Sequence, residues 1–225
     1  MKLYAFGCSL TYGEHLDDVY PENKYPSKFA WPQILSNNLD IECVNMASPG
    51  ASNKEILHTI LQTDLNQEDI AVACWTLPDR FCVIKDPNYE IGVGKSREAI
   101  WAGKLLQIGP WYKKSKDSPL DEDMADAFYD YVYNEEDMLL NLHTCIDYGR
   151  LFLNSQKVNN YHFCSDPKQI KNHKWFKTTI LDIDYNNMHE NYKDKGYVAL
   201  DGSHPHQIVH NLIANKLFKH MELTK

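Results

Sequence analysis

Ser9, Asp201 and His204 are the residues whose types and spacing could perform nucleophilic chemistry. Ser9 directly follows an apolar run, residues 2–6, and ligands of open α/β sheets bind outside the carboxyl ends of such strands. The same place also suits a helix cap, so the local sequence leaves both roles open. Asp201 and His204 form a D-x-x-H pair near the C-terminus, and a carboxylate three residues from an imidazole can hold the ring on a turn. The other ring nitrogen then remains to take a proton from a hydroxyl.

A second candidate is the loop NMASPGASN, residues 45–53, which stands between a predicted strand and a predicted helix. Gly50 would let the backbone approach a ligand closely, and amides near a helix N-terminus suit an anionic oxygen. A plain turn followed by a cap at Ser52 is the alternative interpretation.

Together these pieces resemble the SGNH (GDSL-type) hydrolase superfamily. The G-D-S-L block of that family appears as Gly7-Cys8-Ser9-Leu10, and its glycine loop as Asn45-x-x-x-x-Gly50. Its D-x-x-H block appears as Asp201-Gly202-Ser203-His204. The resemblance implies that Ser9 is the nucleophile, His204 the general base and Asp201 the partner that orients it. It also implies that the backbone amides of Ser9 and Gly50 form part of an oxyanion hole.

The third family block, G-x-N-D, departs from its pattern in this chain. The equivalent region reads AVACWTLPDR, residues 71–80, without the asparagine that donates to the oxyanion in the family. Thr76 could donate from its hydroxyl in its place. We assign Trp75 and Arg80 to substrate binding, since a guanidinium pairs with carboxylate or phosphate; an ion pair of Arg80 with Asp79 is the structural alternative. The FGCSLTYG opening and the tryptophan–arginine third block are similar to a divergent branch of the superfamily found in phage genomes.

Two other chemistries are weaker candidates. Cys8 is a second nucleophile type beside Ser9, but neighbouring residues at a strand end face opposite ways, so Cys8 should face the core. Three histidines, His204, His206 and His210, lie near Asp201, yet their spacing completes no known metal pattern. We therefore predict no metal site and no cofactor.

The pattern of apolar residues predicts the elements that position these groups. Continuous apolar runs predict parallel strands over residues 2–8, 41–46, 70–75 and 160–165, and helical spacing alternates with them. Helices are predicted over residues 27–39, 52–65 and 204–220, with Ser52 as the N-cap of the second. This alternation predicts a single domain of three-layer α/β/α, flavodoxin-like architecture, with a mostly parallel sheet of about five strands.

An insertion is predicted at about residues 82–158. Its first part shows no period, and residues 120–158 are helical, with a second helix beginning near Asn134. Aromatic residues in it, among them Trp101, Trp111, Tyr112 and Tyr129, would suit a cap over the active site.

Composition limits the partners. The net charge is −8 with no basic block, which argues against binding to nucleic acid or an anionic membrane. The six cysteines form no CxxC pair, and no apolar run is long enough for a signal peptide or a membrane span. We therefore expect a soluble cytoplasmic protein, virion-associated if a phage encodes it, and homo-oligomerisation is compatible with the sequence.

These observations predict a serine esterase that acts through an acyl-enzyme on a small ester or an O-acetylated carbohydrate. The alternative is a catalytically degenerate SGNH fold that binds a ligand or serves as a structural phage protein. The missing third-block asparagine favours that alternative, and the presence of Ser9, Gly50, Asp201 and His204 opposes it.

Overall fold

The computed structural model describes residues 1–19, 25–84, 105–110, 122–171 and 180–223. The first half contains β1 (Lys2–Phe6), α1 (Ser9–Tyr12), α2 (Trp31–Leu39), β2 (Glu42–Asn45), α3 (Asn53–Gln62), β3 (Ile70–Trp75) and β4 (Phe81–Ile84). The second half contains β5 (Leu105–Ile108), α4 (Glu122–Ala127), a π-helical turn (Phe128–Val132), α5 (Glu135–Ser155), β6 (Asn159–Cys164), α6 (Pro167–Lys171), α7 (Tyr185–Lys193) and α8 (Gln207–Leu223).

The central sheet has four parallel strands in the order β2-β1-β3-β6 within the described residues. Pairing of Leu3 with Cys43 on one side and with Ile70 on the other places β1 inside the sheet. Strand β3 is a continuous apolar run because helices cover both faces of the sheet. The predicted strand at Ile70–Trp75 has the observed bounds, and the other three differ from prediction by one or two residues at their ends.

Helices form a layer on each face of this sheet. One core contains Phe6, Ala73 and Trp75 from the sheet with Ile56 of α3 and Ile146 of α5. The opposite core joins apolar residues of β1, β3 and β6 to helices α2, α7 and α8, through the side chains Leu3, Val72, Phe163, Trp31, Leu35, Tyr185, Val209 and Leu217. The predicted three-layer α/β/α architecture is confirmed.

Two helix starts follow local capping rules. The Ser52 hydroxyl accepts a hydrogen bond from the Glu55 amide at 3.3 Å and so caps α3. Asn134 caps α5 in the same way, through the Asp137 amide at 3.1 Å. The expected N-cap at Ser52 and the expected helix start near Asn134 are both confirmed.

The predicted insertion contains several of the described elements. Strands β4 and β5 pair in antiparallel fashion, which the sequence did not indicate, and buried Gln107 donates to Glu55 Oε2 at 2.7 Å. Helix α5 packs on the sheet as part of a main layer. The cap residues Trp101, Trp111 and Tyr112 lie outside the described residues.

Within the described part of the chain, no helix has both the length and the apolar character needed to cross a bilayer.

Two histidines are buried and neutral in the two helix–sheet cores. Burial lowers the pKa of His162 to about 3, and its Nδ1 accepts a hydrogen bond from Trp75 Nε1 at 3.0 Å. Burial likewise lowers the pKa of His210 to about 3, and His210 Nδ1 accepts from the Trp31 amide at 3.3 Å. Each ring therefore serves as an uncharged acceptor inside the core.

We expect these histidines to make folding sensitive to mild acid. Below pH about 6.5 these two histidines bind protons in the unfolded chain, whereas in the folded protein they stay unprotonated down to about pH 3. The free energy of unfolding therefore falls as the pH falls through this window. In His210→Gln, whose amide oxygen can still accept from Trp31, the slope between pH 5 and 6.5 should decrease by up to about 1.4 kcal/mol per pH unit. Urea denaturation at several pH values measures the slope. Identical slopes in both proteins would contradict the assignment.

Candidate active site

Ser9 begins the one-turn helix α1 directly beyond the end of β1. The carbonyl oxygen of Cys8 accepts from the amides of Thr11 and Tyr12, both at 2.9 Å, which forms the turn. A Cβ atom on Gly7 would lie 2.1 Å from Thr11 Oγ1, so only glycine allows the chain to turn this tightly after the strand. Ser9 lies beyond the carboxyl end of β1 and is buried, with 4% of its surface exposed.

Cys8 faces the other way, as expected. It is fully buried in the core on the α3 and α5 face, where a thiol packs as a small apolar group. The alternative that Cys8 acts as the nucleophile therefore has no accessible sulfur to support it.

Asp201 and His204 form a hydrogen-bonded pair. His204 Nδ1 lies 2.6 Å from Asp201 Oδ2, and Asp201 Oδ1 accepts from the amides of Ser203 and His204 at 3.1 and 3.0 Å. The Ser203 hydroxyl also donates to Asp201 Oδ2. Burial alone would raise the pKa of Asp201, but the hydrogen bonds from Ser203 and His204 outweigh it and hold that pKa well below its usual value. The carboxylate is therefore ionised, and it fixes the proton of the imidazole on Nδ1.

The turn that carries this pair is braced by the backbone on both sides. The Ala199 amide donates to the His204 carbonyl at 2.8 Å, and Val198 forms a β-bridge with Pro205. His189 of α7 interacts with the backbone of Ser203, and burial lowers the pKa of His189. These contacts hold a loop that has little apolar packing of its own.

The segment after Ser9 contacts the histidine directly. Glu14 Oε2 lies 3.6 Å from His204 Nε2, and the rings of His15 and His204 are 5.1 Å apart. The Leu200 amide donates to the His15 carbonyl at 3.1 Å. The structure thus brings the Ser9 segment and the Asp201–His204 turn to one edge of the fold. Among the described contacts, no hydrogen bond joins the Ser9 hydroxyl to His204, and the Glu14 carboxylate faces Nε2 instead.

The glycine loop lies at the same edge. The Ser48 amide donates to the Gly7 carbonyl at 3.1 Å, which continues the β1–β2 pairing up to the turn before Ser9. Gly50 has a φ of 75°, a left-handed conformation that other residues rarely adopt. Asn45 connects the glycine loop to helix α1, because its side-chain amide donates to the Thr11 carbonyl at 2.8 Å.

Thr76 lies at the end of β3, the strand on the other side of β1. Asn53 at the start of α3 accepts from the Thr76 amide at 2.9 Å and donates to the Thr76 carbonyl at 3.1 Å. The Thr76 hydroxyl is buried and has no hydrogen-bond partner among the described residues. Asn53 thus fixes the backbone of the third block and leaves the hydroxyl of Thr76 available.

Two predicted substrate-binding residues differ in their surroundings. Trp75 is fully buried in the core and donates to His162, so its ring offers no surface to a substrate in this structure. Arg80 is half-buried beside Asp79, and its positive charge partly offsets the burial that raises the pKa of Asp79. Tyr129 donates to the Asp79 carbonyl at 2.7 Å, which connects Arg80 and its neighbours to the π-helical turn.

The two histidines that follow His204 lie in different surroundings. His210 is fully buried, and His206 Nδ1 accepts from the Ile208 amide at 3.2 Å at the start of α8. Neither belongs to the group of possible ligands that His15, Asp201 and His204 form among the described residues.

Four residues around the site were not identified from the sequence: Glu14, His15, Asn53 and Ser203. Glu14 and His15 close the FGCSLTYGEH stretch, and Ser203 lies inside the D-x-x-H block, so their positions next to motif residues were the available signal. Asn53 gave no signal, because its partners are Thr76 and Leu77 on another strand end.

Comparison with known proteins was informative only at the level of structure. No protein-family profile matches the chain, and no curated protein matches its sequence. A carbohydrate esterase, described as having divergent catalytic and non-catalytic binding functions in its active site, superposes with a TM-score of 0.50 and 12% identity, over 98% of this chain and 68% of its own.

The chain shares the α/β/α fold of this carbohydrate esterase. A protein assigned to the G-D-S-L lipolytic family of Desulfitobacterium hafniense matches at TM-score 0.49 and 12% identity, over 97% of this chain and 98% of its own. Esterase EstA of Pseudoalteromonas matches at TM-score 0.47 and 10% identity, over 98% of this chain and 96% of its own. Because β2, β1 and β3 are parallel neighbours, their carboxyl ends meet at one edge, where Ser9, Gly50 and Thr76 lie.

Proposed function

We propose that this protein is a serine esterase that acts through an acyl-enzyme formed on Ser9. The observation that carries the proposal is the 2.6 Å hydrogen bond between His204 Nδ1 and an ionised Asp201, on a turn packed against the segment that follows Ser9. An imidazole held at Nδ1 by a carboxylate has its Nε2 available as a base, which is the role of histidine in Ser-His-Asp hydrolases.

The reaction begins when Ser9 Oγ attacks the ester carbonyl and His204 Nε2 takes its proton. Asp201 stabilises the imidazolium that forms, through the hydrogen bond at Nδ1. His204 then returns the proton to the leaving alcohol, and a water molecule releases the acid from Ser9 by the same steps. Because Glu14 faces Nε2 at 3.6 Å, the hydroxyl of Ser9 must take the place of this carboxylate before the first step.

Three groups would stabilise the oxyanion: the amides of Ser9 and Gly50, and the hydroxyl of Thr76. Two observations support the assignment of Thr76 to the oxyanion hole. Its buried hydroxyl lacks a hydrogen-bond partner among the described residues, and the side chain of Asn53 holds its backbone by hydrogen bonds. An acyl oxygen bound there would give this hydroxyl the acceptor that it lacks. One such donor is worth about 3 kcal/mol in the transition state.

For the substrate we propose a small acyl ester, with an O-acetylated carbohydrate as the favoured class. The basis is the resemblance of the three sequence blocks, together with the 12% aromatic content. Arg80 remains a proposed contact for a carboxylate or phosphate on the substrate. The proposed reaction requires no cofactor.

A ligand-binding protein with a degenerate site is the second candidate. It is favoured by the Glu14 carboxylate at Nε2 and by the absence of the third-block asparagine. The two candidates differ in whether Ser9 forms a covalent acyl intermediate.

Ser9→Ala should abolish hydrolysis of p-nitrophenyl acetate and labelling by a fluorophosphonate, because the mutation removes the proposed nucleophile. Ser155→Ala, which removes an exposed hydroxyl at the end of α5, serves as the matched control and should keep the labelling. Turnover and intact mass after labelling are the measurements. Equal turnover in wild type and Ser9→Ala would favour the ligand-binding candidate.

Asp201→Asn should lower kcat by about 10³- to 10⁴-fold, since an amide cannot stabilise the imidazolium and favours the wrong tautomer. Folding should be retained, because the side chain keeps its shape and lies in a partly exposed loop. Circular dichroism melting checks the folding, and steady-state kinetics check kcat. Normal turnover would mean that the D-x-x-H turn plays no part in the chemistry.

Thr76→Val should separate stability from catalysis. Removing a buried hydroxyl that makes no hydrogen bond should leave the free energy of unfolding unchanged or raise it by about 1 kcal/mol. If the hydroxyl binds the oxyanion, kcat should fall by about 10²- to 10³-fold. Thr76→Ser, which keeps the hydroxyl, is the matched control. A Val variant with unchanged kcat would remove Thr76 from the oxyanion hole.

A further inference from the structure

His15 forms a cluster with Asp201 and His204, and the proposed ester hydrolysis gives His15 no role. One ligand atom from each residue lies within 4.8 Å of the other two. His15 Nε2 is 3.9 Å from Asp201 Oδ2, and the same oxygen is 2.6 Å from His204 Nδ1. Two imidazoles and a carboxylate are a ligand set typical of zinc sites that keep a fourth position open.

We propose that a divalent zinc ion binds between His15 Nε2, Asp201 Oδ2 and His204 Nδ1, and that it holds the triad in an inactive state. Zinc binding itself is independent of the proposed esterase function, whereas the inhibition rests on it.

Two of the three pairs of ligand atoms require only small movements. Ligand bonds of about 2.0–2.1 Å place tetrahedral ligand atoms about 3.3 Å apart. The Asp201–His204 contact of 2.6 Å would open, and the Asp201–His15 contact of 3.9 Å would close, each by less than an ångström. The three side chains are only 19–25% exposed, so they are partly preorganised and still reachable from solvent.

Glu14 supports the site from the other side of the ring. Its Oε2 lies 3.6 Å from His204 Nε2, the position that Ser9 would occupy in an active triad. A carboxylate at this nitrogen hinders a base, but a histidine that ligates a metal usually donates its second N–H to a carboxylate. Two carboxylates near the cluster, Glu14 and Asp201, also offset the charge of a divalent ion.

The proton balance follows from this geometry. Zinc binds through the Nδ1 lone pair, so the proton that Nδ1 donates to Asp201 moves to Nε2 and is then donated to Glu14. Water ligands leave the ion as the three protein atoms bind. With Nε2 protonated, His204 cannot take a proton from Ser9, and hydrolysis stops until the zinc is removed.

The test is calorimetric titration of the chelator-treated full chain with zinc chloride, together with the visible spectrum of the Co²⁺ form. We expect one ion per chain in wild type and tetrahedral Co²⁺ bands. His15→Asn should weaken zinc binding at least tenfold; asparagine is chosen because residue 15 has a φ of 62°, which asparagine tolerates. Glu14→Gln should weaken it about 10-fold or more, as loss of a carboxylate behind a ligating histidine does.

Two further variants make the outcome unambiguous. His206→Asn changes a nearby histidine outside the cluster and should bind zinc like wild type. Ser9→Ala should also bind zinc fully although it cannot hydrolyse esters, so a failed esterase proposal would leave this result standing. In active wild type, zinc should suppress turnover and EDTA should restore it. Absence of stoichiometric binding, or equal affinity in wild type, His15→Asn and Glu14→Gln, would overturn the proposal.

Discussion

The position of β1 inside the sheet is the constraint on which the rest of the structure depends. Its backbone pairs with β2 on one side and β3 on the other, so the strand cannot slide relative to either neighbour. Leu3 and Ala5 belong to the core on the α2 and α8 face, and Phe6 belongs to the opposite core. A shift of one residue would exchange these faces and expose both cores. Ser9 therefore leaves the sheet at one defined place, and the end of β3 brings Thr76 to the same edge.

The second half of the site is held by different forces. The Asp201–His204 turn has little apolar packing, and the carboxylate of Asp201 organises it by accepting hydrogen bonds from Ser203 and His204. Its position relative to Ser9 depends on Glu14 and His15, which lie on the segment that leaves α1. Core packing thus positions the Ser9 side of the site, and charge-assisted hydrogen bonds position the Asp201–His204 side. At that junction His204 Nε2 faces Glu14.

The predictable parts of the fold were those set by local pattern. The strand at Ile70–Trp75 was recognised as a continuous apolar run, and the helix starts at Ser52 and Asn134 followed from capping residues. The antiparallel pairing of β4 with β5 was missed because residues 85–104 separate the two strands in the sequence, so no short turn signals the pairing. The sequence also did not show that α5 packs on the sheet. Its helical period would be the same whether it covered a sheet or another part of the protein.

For the site itself, the sequence alone indicated which residues could carry the chemistry, because a serine after a strand and a D-x-x-H pair are recognisable from their types and order. The tertiary structure decided what surrounds them. Trp75 lies in the core and not at the edge, because the final residues of β3 are covered by α5 and by His162. Glu14 and His15 became neighbours of His204 because strand β1 and the C-terminal turn end at the same edge. Such contacts depend on the packing of segments nearly two hundred residues apart, and no local pattern encodes that packing.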